Sequence, residues 1–298
     1  MLYYLTILRP LNCIMSLVAV FVGGLLVTDI QTLIYSPVLY AAMFAALVIT
    51  GAGNVINDYI DVESDKVNRS RRPIASGRIS KNAALAYFVL LFVVGILATL
   101  LVNNLYLTTI AVINSVVLVI YSTHLQNKIL LGNLAVSYLV GSTFLFGGAA
   151  FYNLTLPILL MLLAMLSNFA REIVKDLEDL EGDRRGFLKR LVSNVKKKVA
   201  ERFDLVDGKA KLKFSKRRAM ATAKISLLFA VVLSPIPYII NLLGLSYVVL
   251  VVITDLIFIY CIFLISKAET KKQFKRVSKK IKLGMLFGLL SFIIGILV

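Results

Sequence analysis

Two segments of the chain carry aspartates at a spacing that suits metal binding. We call residues 54–65 the first motif and residues 176–183 the second motif. Their aspartates are Asp58, Asp61 and Asp65 in the first motif, and Asp176, Asp179 and Asp183 in the second. The shared i, i+3, i+7 spacing places each set on one face of a helix. Like charges so placed repel one another, so the repeated pattern predicts a cation between the two motifs.

The ligand types indicate which cation this would be. Oxygen ligands without His or Cys favour Mg²⁺ or Ca²⁺ over zinc. Mg²⁺ takes one or two carboxylates and completes its octahedron with water and phosphate oxygens. If the two motifs face each other, they would therefore form a site for a diphosphate. Asn54 and Asn57 lie one turn deeper on the first face, and Glu172 one turn deeper on the second. The alternative, two ordinary solvated acidic loops, leaves the common spacing unexplained.

The elements that would position these motifs are membrane helices. Hydrophobic residues make up 59% of the chain, and its long apolar runs contain almost no charge. A bilayer core needs roughly 20 apolar residues for each spanning helix. We predict an all-α polytopic bundle with spans near residues 11–28, 37–56, 82–102, 105–121, 131–150, 154–172, 220–240, 243–266 and 280–298.

Basic residues predict how the bundle is oriented. If these spans alternate in direction, all 33 Lys and Arg residues fall on one side of the membrane. Because cytoplasmic loops collect such residues, we expect a cytoplasmic amino terminus and active site, and an external carboxyl terminus. The net charge of +17 indicates contact with anionic membrane lipids rather than with nucleic acid. The sequence gives no sign of an obligate protein partner.

One domain, 1–298, accounts for the whole pattern, with a long cytoplasmic insertion at 184–218. Apolar and basic residues alternate at helical spacing in the insertion, which predicts either a basic amphipathic helix on the membrane surface or a lid. A flexible charged linker fits the composition equally well. Asp207-Gly208 is typical of a hairpin turn.

At the two motifs the sequence resembles the UbiA-type intramembrane prenyltransferases. That family carries N-D-x-x-D-x-x-x-D after its second helix and D-x-x-D-x-x-x-D after its sixth. Further matching pieces are Leu8-Arg9-Pro10 with Asn12, Arg72-Pro73-Ile74-Ala75-Ser76-Gly77, Tyr121-Ser122 and Gly132-Asn133. The second motif is most similar to the branch of the family that acts in archaeal ether-lipid synthesis. The resemblance implies a bundle around a central cavity that opens to the cytoplasm. It also implies Mg²⁺-dependent transfer of a geranylgeranyl group from geranylgeranyl diphosphate to the hydroxyl of a prenylated glycerol phosphate.

The resemblance also implies a set of site residues. The six motif aspartates would be catalytic and, together with Asn57, would bind the metal. The expected substrate-binding residues are Asn12, Asn54, Asn57, Lys66, Arg69, Arg72, Tyr121, Lys128, Asn133, Asn168, Arg171 and Lys175. The sequence departs from the family at Leu125-Gln126, where the family often has Leu-Lys. A diphosphate contact is therefore either missing there or supplied by Lys128.

Other functions remain as alternatives at this stage. The same fold could transfer the prenyl group to an aromatic acceptor such as a quinone precursor. A cation transporter is disfavoured, since transporters place their binding groups near the bilayer midplane at broken helices, whereas these motifs follow intact apolar runs. Asp255 lies in the middle of a predicted span, where a carboxylate has either a functional role or a hydrogen-bonded structural one.

Overall fold

A computed structural model of the chain describes residues 2–126, 128–182 and 205–297, in which all the regular structure is helical. The helices, in chain order, are α1 (Leu2–Ile7), α2 (Pro10–Leu25), α3 (Ile30–Ile34), α4 (Pro37–Ile60), α5 (Val62–Asn68), α6 (Lys81–Leu101), α7 (Leu105–Ile120), α8 (Ile129–Ala149), α9 (Thr155–Gly182), α10 (Leu205–Leu233), α11 (Ile236–Ile239), α12 (Leu245–Lys267) and α13 (Lys271–Leu297). A π-helical turn, Tyr121–Leu125, follows α7 directly.

Eight helical segments within the described residues are long and apolar enough to cross a membrane. They are α4, α6, α7 with its π-helical turn, α8, α9, α10 with α11, α12 and α13. The prediction of an all-α, multi-pass membrane protein is therefore confirmed. The span predicted at 11–28 corresponds to α2, whose 16 residues fall short of the roughly 20 that a bilayer core requires. The count of nine spans stays a prediction.

Local sequence determines where several of these helices begin. Ser36, Ser80 and Asn104 precede α4, α6 and α7, and each side chain accepts a hydrogen bond from a backbone N–H of the first turn. Such caps satisfy donors that have no partner inside the helix. Pro37 occupies the first position of α4, where its fixed φ and missing N–H carry no penalty.

The chain forms two compact units. The first consists of Met1–Gln126 and Tyr138–Met161, and within it α4 packs against α2, α6 and α7. Helices α2 and α8 approach very closely in this unit, because glycines lie at the contact. A Cβ atom at Gly23 would lie 2.0 Å from the carbonyl oxygen of Phe144. Small residues of this kind let the backbones of membrane helices come into contact.

The second unit consists of Asn127–Ser137 and Leu162–Val298. Helices α9, α10, α12 and α13 bury a continuous apolar core that includes Ile173, Leu227 and Phe274. Asp255 of α12 accepts a hydrogen bond from Ser234 Oγ at 2.7 Å, and the backbone oxygen of Ser234 accepts one from the Tyr247 hydroxyl at 2.5 Å. These contacts support the structural interpretation of Asp255, as a link between α12 and the end of α10.

The predicted insertion at 184–218 is only partly described. Residues 183–204 lie outside the described residues, and so does most of the predicted amphipathic pattern. From Leu205 onward the chain is already helical, so the hairpin predicted at Asp207-Gly208 is wrong. A single glycine costs a helix only about 1 kcal/mol, which the long helical segment that follows offsets. Helix α10 ends at Leu233, two residues before Pro235, since proline interrupts the hydrogen-bond pattern of a helix.

Candidate active site

The first motif spans the end of α4, a bend and the start of α5. Asp58 lies in the last turn of α4, Asp61 lies between the helices, and Asp65 lies in α5. Asp61 has φ −81° and ψ 3°, which departs from helical geometry. The single helical face predicted for the three aspartates is therefore interrupted at its central residue.

Two arginines neutralise the outer aspartates of the first motif. Arg9 and Arg72 both donate to Oδ1 of Asp58, at 2.6 and 2.8 Å, and Arg72 also donates to Oδ2 of Asp65 at 2.6 Å. The carboxylate side chains of Asp58 and Asp65 are only 4% and 8% exposed. Charge-assisted hydrogen bonds at this burial are considerably stronger than those between neutral groups. Arg72 therefore connects the end of α4 to α5.

The backbone around Arg9 explains how a residue so distant in sequence reaches Asp58. Arg9 separates α1 from α2 and adopts a left-handed conformation with φ 53°, which is uncommon for a residue other than glycine. Pro10 follows it and disfavours the right-handed helical conformation at Arg9. Asn54 Nδ2 of α4 donates to the carbonyl oxygen of Leu8 at 2.8 Å. Asn54, predicted to bind substrate, thus anchors the segment that presents Arg9.

Arg72 is positioned by a series of backbone turns between α5 and α6. Its N–H donates to the carbonyl of Arg69, and its own carbonyl accepts from Ser76 N–H, both at 2.9 Å. Ile74 is buried, and Gly77 ends the turns with φ 75°, a conformation that glycine adopts without steric cost. The Arg-Pro-Ile-Ala-Ser-Gly segment therefore holds the Arg72 guanidinium in place.

An open pocket of about 470 Å³ lies over Asp58. Ligand sites commonly have volumes of about 300–1,000 Å³. Its lining residues are Thr6, Ile7, Arg9, Asp58, Arg69, Ser70, Arg71, Arg72 and Pro73. Four of these residues are arginines, whose guanidinium groups match phosphate oxygens in geometry and charge. The pocket is thus suited to a polyanion such as a diphosphate.

The π-helical turn after α7 and Gln126, the residue that follows it, each contact the first motif. Ser122 Oγ donates to Asn57 Oδ1 at 2.5 Å, and Gln126 Nε2 donates to Asp61 Oδ2 at 2.7 Å. Tyr121 begins this turn and is half-buried. The residue that departs from the family pattern, Gln126, is therefore in direct contact with a motif aspartate. Lys128, the suggested replacement, is exposed just before α8.

The second motif lies on α9 as far as Gly182, the last of its residues that the structure describes. Asp176 and Asp179 lie on this helix, one turn apart, as the spacing predicts. Asp176 Oδ2 accepts a hydrogen bond from Asn133 Nδ2 of α8 at 2.7 Å. Asp179 is exposed, and Asp183 lies outside the described residues. Of the predicted site residues in the second unit, the structure thus places Asn133 and Asp176 in direct contact.

A charged network lies one turn deeper on α9. Arg171 donates to Oε1 of Glu172, and Lys175 lies 3.4 Å from its Oε2. Arg171 Nε also donates to the Oδ1 atom of Asn168 at 3.2 Å. The Asn168 side chain is buried and donates to Ser137 Oγ at 3.1 Å. Glu172 thus holds two predicted substrate-binding cations on one face of α9.

Three predicted residues lie away from these contacts. Asn12 is exposed on α2, and Lys66 pairs with Glu63 at 2.9 Å on the surface of α5. Arg69 is exposed, but it lines the arginine-rich pocket. Asn12 and Lys66 therefore receive no support as site residues from the described contacts.

The oxygen atoms of the first motif, together with that of Gln126 beside it, fit Mg²⁺. Asp61 supplies a carboxylate, and Gln126 Oε1 is a buried oxygen without a partner among the described residues. Within the described part of the chain, no three acidic, His or Cys side chains form a group that could hold a metal ion by themselves. Arg72 lies between Asp58 and Asp65. Mg²⁺ typically requires only one or two carboxylates beside water and phosphate oxygens, so the oxygens present suffice.

Sequence reasoning missed Arg9, Arg71, Ser122 and Gln126 as site residues. A signal existed for three of them, because Arg9 belongs to Leu8-Arg9-Pro10, Ser122 follows Tyr121, and Gln126 marks the departure from the family pattern. Arg71 carried no signal of its own.

Comparisons with known proteins agree with this geometry. The sequence model of the UbiA prenyltransferase family matches residues 16–290. The digeranylgeranylglyceryl phosphate synthase of Methanococcus maripaludis is 36% identical over 293 residues, which cover 98% of this chain and 97% of the relative. A solved structure described as digeranylgeranylglyceryl phosphate synthase in membranes is 34% identical with a TM-score of 0.81, covering 99% of this chain and 97% of that one.

A more distant structure shares the fold. A UbiA homolog from Archaeoglobus fulgidus, solved with GPP and Mg²⁺, is 16% identical with a TM-score of 0.64, covering 97% of this chain and 99% of that one. These comparisons confirm the resemblance that the two motifs indicated. The chain belongs to the UbiA prenyltransferase family and is a prenyltransferase.

Proposed function

We propose that this protein transfers a geranylgeranyl group from geranylgeranyl diphosphate to the free hydroxyl of geranylgeranylglyceryl phosphate, a step of archaeal ether-lipid synthesis. The observation that carries the proposal is the arginine-lined pocket over Asp58, in a chain 36% identical over nearly its full length to a digeranylgeranylglyceryl phosphate synthase. The pocket accounts for binding of the leaving diphosphate, and the relative accounts for the choice of acceptor.

The first unit would bind the diphosphate of the donor. Arg9 and Arg72 already lie against Asp58. Each guanidinium has five N–H donors, so several of them are left to bind phosphate oxygens. Asp58, Asp61 and Asp65, with Asn57, are the proposed Mg²⁺ ligands of this unit. When bound, Mg²⁺ would stabilise the negative charge that develops on the departing diphosphate.

The second unit would contribute Asp176, Asp179 and the two cations on α9. Asn133 holds Asp176 in one orientation, which prepares its carboxylate for a ligand. Glu172 fixes Arg171 and Lys175 together. Both side chains suit a substrate phosphate, and an acceptor that carries a phosphate needs such a group. Asp183 remains part of the proposed metal site.

The proposed reaction breaks one bond and forms one bond. The C1–O bond of the allylic diphosphate breaks, and the electron pair leaves with diphosphate. The acceptor hydroxyl oxygen forms an ether bond to C1 and loses its proton, which one of the motif aspartates would accept. Apolar helices around the prenyl chain would exclude water and so prevent capture of the allylic cation by hydroxide or water.

The orientation and domain organisation belong to the same proposal. Lys and Arg lie on one side of the predicted spans, which supports a cytoplasmic amino terminus and active site. The family match runs from residue 16 to residue 290, and this supports one catalytic domain that includes both compact units. Anionic membrane lipids would contact the basic loops.

An acceptor assay tests the proposal. Purified protein in detergent with Mg²⁺ should release diphosphate from geranylgeranyl diphosphate when geranylgeranylglyceryl phosphate is supplied, and should form the ether product. Geranylgeranylglycerol without the phosphate serves as the control acceptor, and hydroxybenzoate as the aromatic one. Turnover with hydroxybenzoate and none with the glycerol phosphate would contradict the proposed acceptor and assign the protein to aromatic prenylation.

A further inference from the structure

The amide of Gln126 has one satisfied end and one unsatisfied end. Its Nε2 donates to Asp61 Oδ2 at 2.7 Å. Its Oε1 is almost fully buried and has no hydrogen-bond partner among the described residues. Buried polar atoms without partners are rare in folded proteins, so each one calls for an explanation. An unmatched acceptor beside a carboxylate points to a missing donor or cation.

The orientation of this amide follows from chemistry. A reversed amide would place Oε1 against the carboxylate oxygen of Asp61, where both atoms are acceptors and repel each other. The N–H must therefore face Asp61, and Oε1 must face away from that bond. The unmatched atom is thus the carbonyl oxygen, which accepts hydrogen bonds or binds cations.

The backbone holds Gln126 firmly in this position. Its own N–H donates to the carbonyl of Tyr121 at 2.8 Å, across the π-helical turn. Ser122 of the same turn is bonded to Asn57. The turn and Gln126, which follows it, therefore contact two residues of the first motif, and π-helical turns are frequent at functional sites.

Asp61 also differs from its two neighbours in charge balance. Asp58 and Asp65 accept from guanidinium groups, whereas the described partner of Asp61 is the neutral Gln126 amide. A neutral donor orients a carboxylate without cancelling its charge. Asp61 thus keeps its negative charge for a cation.

We infer that Gln126 is a positioning residue of the Mg²⁺ site: its Nε2 orients Asp61, and its Oε1 accepts a hydrogen bond from water in the hydration shell of the cation. Mg²⁺ usually keeps several of its waters in protein sites, and these supply the missing donor. The inference rests on the proposed binding of Mg²⁺ and diphosphate by the first motif.

Binding of Mn²⁺ in the presence of inorganic diphosphate, followed by electron paramagnetic resonance, tests this role without turnover. Gln126→Met keeps the length of the side chain but removes both polar ends. Gln126→Glu keeps an oxygen acceptor and removes the N–H donor. Asp61→Asn tests the site itself, and Thr123→Val, an exposed position of the same turn, is the matched control.

We expect Gln126→Met to weaken Mn²⁺ binding by about 10-fold to 100-fold, the usual effect of losing a group that orients a metal ligand. Gln126→Glu should recover part of that loss, because one carboxylate oxygen takes the place of Oε1 while the other repels Asp61 Oδ2. Thr123→Val should bind as the unaltered protein does. If Gln126→Met does not fold, as judged by thermal unfolding, Gln126→Ser tests the same loss with a smaller polar side chain.

Two outcomes would overturn the inference. An unchanged Mn²⁺ affinity in Gln126→Met would remove any role for the amide. Equal weakening in Gln126→Met and Gln126→Glu would remove the role of Oε1. Asp61→Asn separates these results from the parent proposal: unchanged Mn²⁺ binding in that variant would instead show that the first motif does not bind the metal.

Discussion

Arg72→Gln should destabilise the protein when Mg²⁺ is absent and make its stability depend on Mg²⁺. Arg72 connects Asp58 and Asp65 through bonds of 2.8 and 2.6 Å, and both carboxylates are at least 92% buried. Removing one partner of a buried ion pair costs about 3–5 kcal/mol. Because Arg9 still neutralises Asp58, we expect a loss of about 3 kcal/mol in the free energy of unfolding, at the lower end of that range.

Mg²⁺ should restore much of this loss. In Arg72→Gln the cation can take the position between the carboxylates that the guanidinium held. At a concentration 100 times its dissociation constant, a ligand stabilises the folded state by about 2.7 kcal/mol. In the unaltered protein Mg²⁺ competes with Arg72 for the same oxygens, so its effect should be smaller.

Thermal unfolding in detergent, with and without Mg²⁺, measures both effects. Lys66→Gln is the matched control, since its pair with Glu63 is exposed and such pairs contribute only about 0–1 kcal/mol. If Arg72→Gln unfolds at the temperature of the unaltered protein without Mg²⁺, or if Mg²⁺ raises the two Tm values equally, Arg72 does not neutralise the buried carboxylates in this way.

Three further predictions concern the second motif, the helix contact and the α9 network. Asp179→Ala should abolish turnover in the acceptor assay while thermal unfolding stays unchanged, because its side chain is exposed; turnover at the unaltered rate would exclude it from the site. Gly23→Ala should destabilise the folded protein by about 1–3 kcal/mol, because the new Cβ would clash with Phe144. Gly288→Ala is the control and should be tolerated, since its Cβ would lie 3.5 Å from its nearest neighbour. Equal Tm values for the two variants would contradict the close contact between α2 and α8. Glu172→Gln should raise the KM for the phosphate-bearing acceptor about 10-fold, which corresponds to a loss of about 1.4 kcal/mol of binding free energy. The KM for an acceptor without phosphate should change little. Equal changes for both acceptors would show that the charged network on α9 does not bind that phosphate.

Much of the fold could be predicted because membrane helices depend on local composition. Long apolar runs are required by the bilayer core, and the spans predicted at 82–102, 105–121 and 243–266 agree closely with α6, α7 and α12. The errors occurred where local composition is mixed. The helical residues that follow Leu205 are rich in Lys and contain one glycine, so composition favoured a loop there.

The site could be predicted only as far as its contacts are local. The spacing of Asp176 and Asp179 determines their common face on α9, and the structure agrees. The bend at Asp61 interrupts the single helix that the spacing had predicted, although Arg72 still bridges Asp58 and Asp65. Arg9 and Asp58 are 49 positions apart, and Gln126 and Asp61 are 65 apart. Contacts at such separations depend on how helices pack, and no periodicity in one sequence reveals them.

A crystal structure with Mg²⁺ and geranylgeranyl thiolodiphosphate, a donor analogue that resists ionisation, would decide whether the carboxylates and arginines act as proposed. We predict diphosphate oxygens bonded to Arg9 and Arg72, and Mg²⁺ ligated by Asp61. A diphosphate bound away from the arginine-lined pocket, or Mg²⁺ ligated by neither motif, would contradict the proposed mechanism.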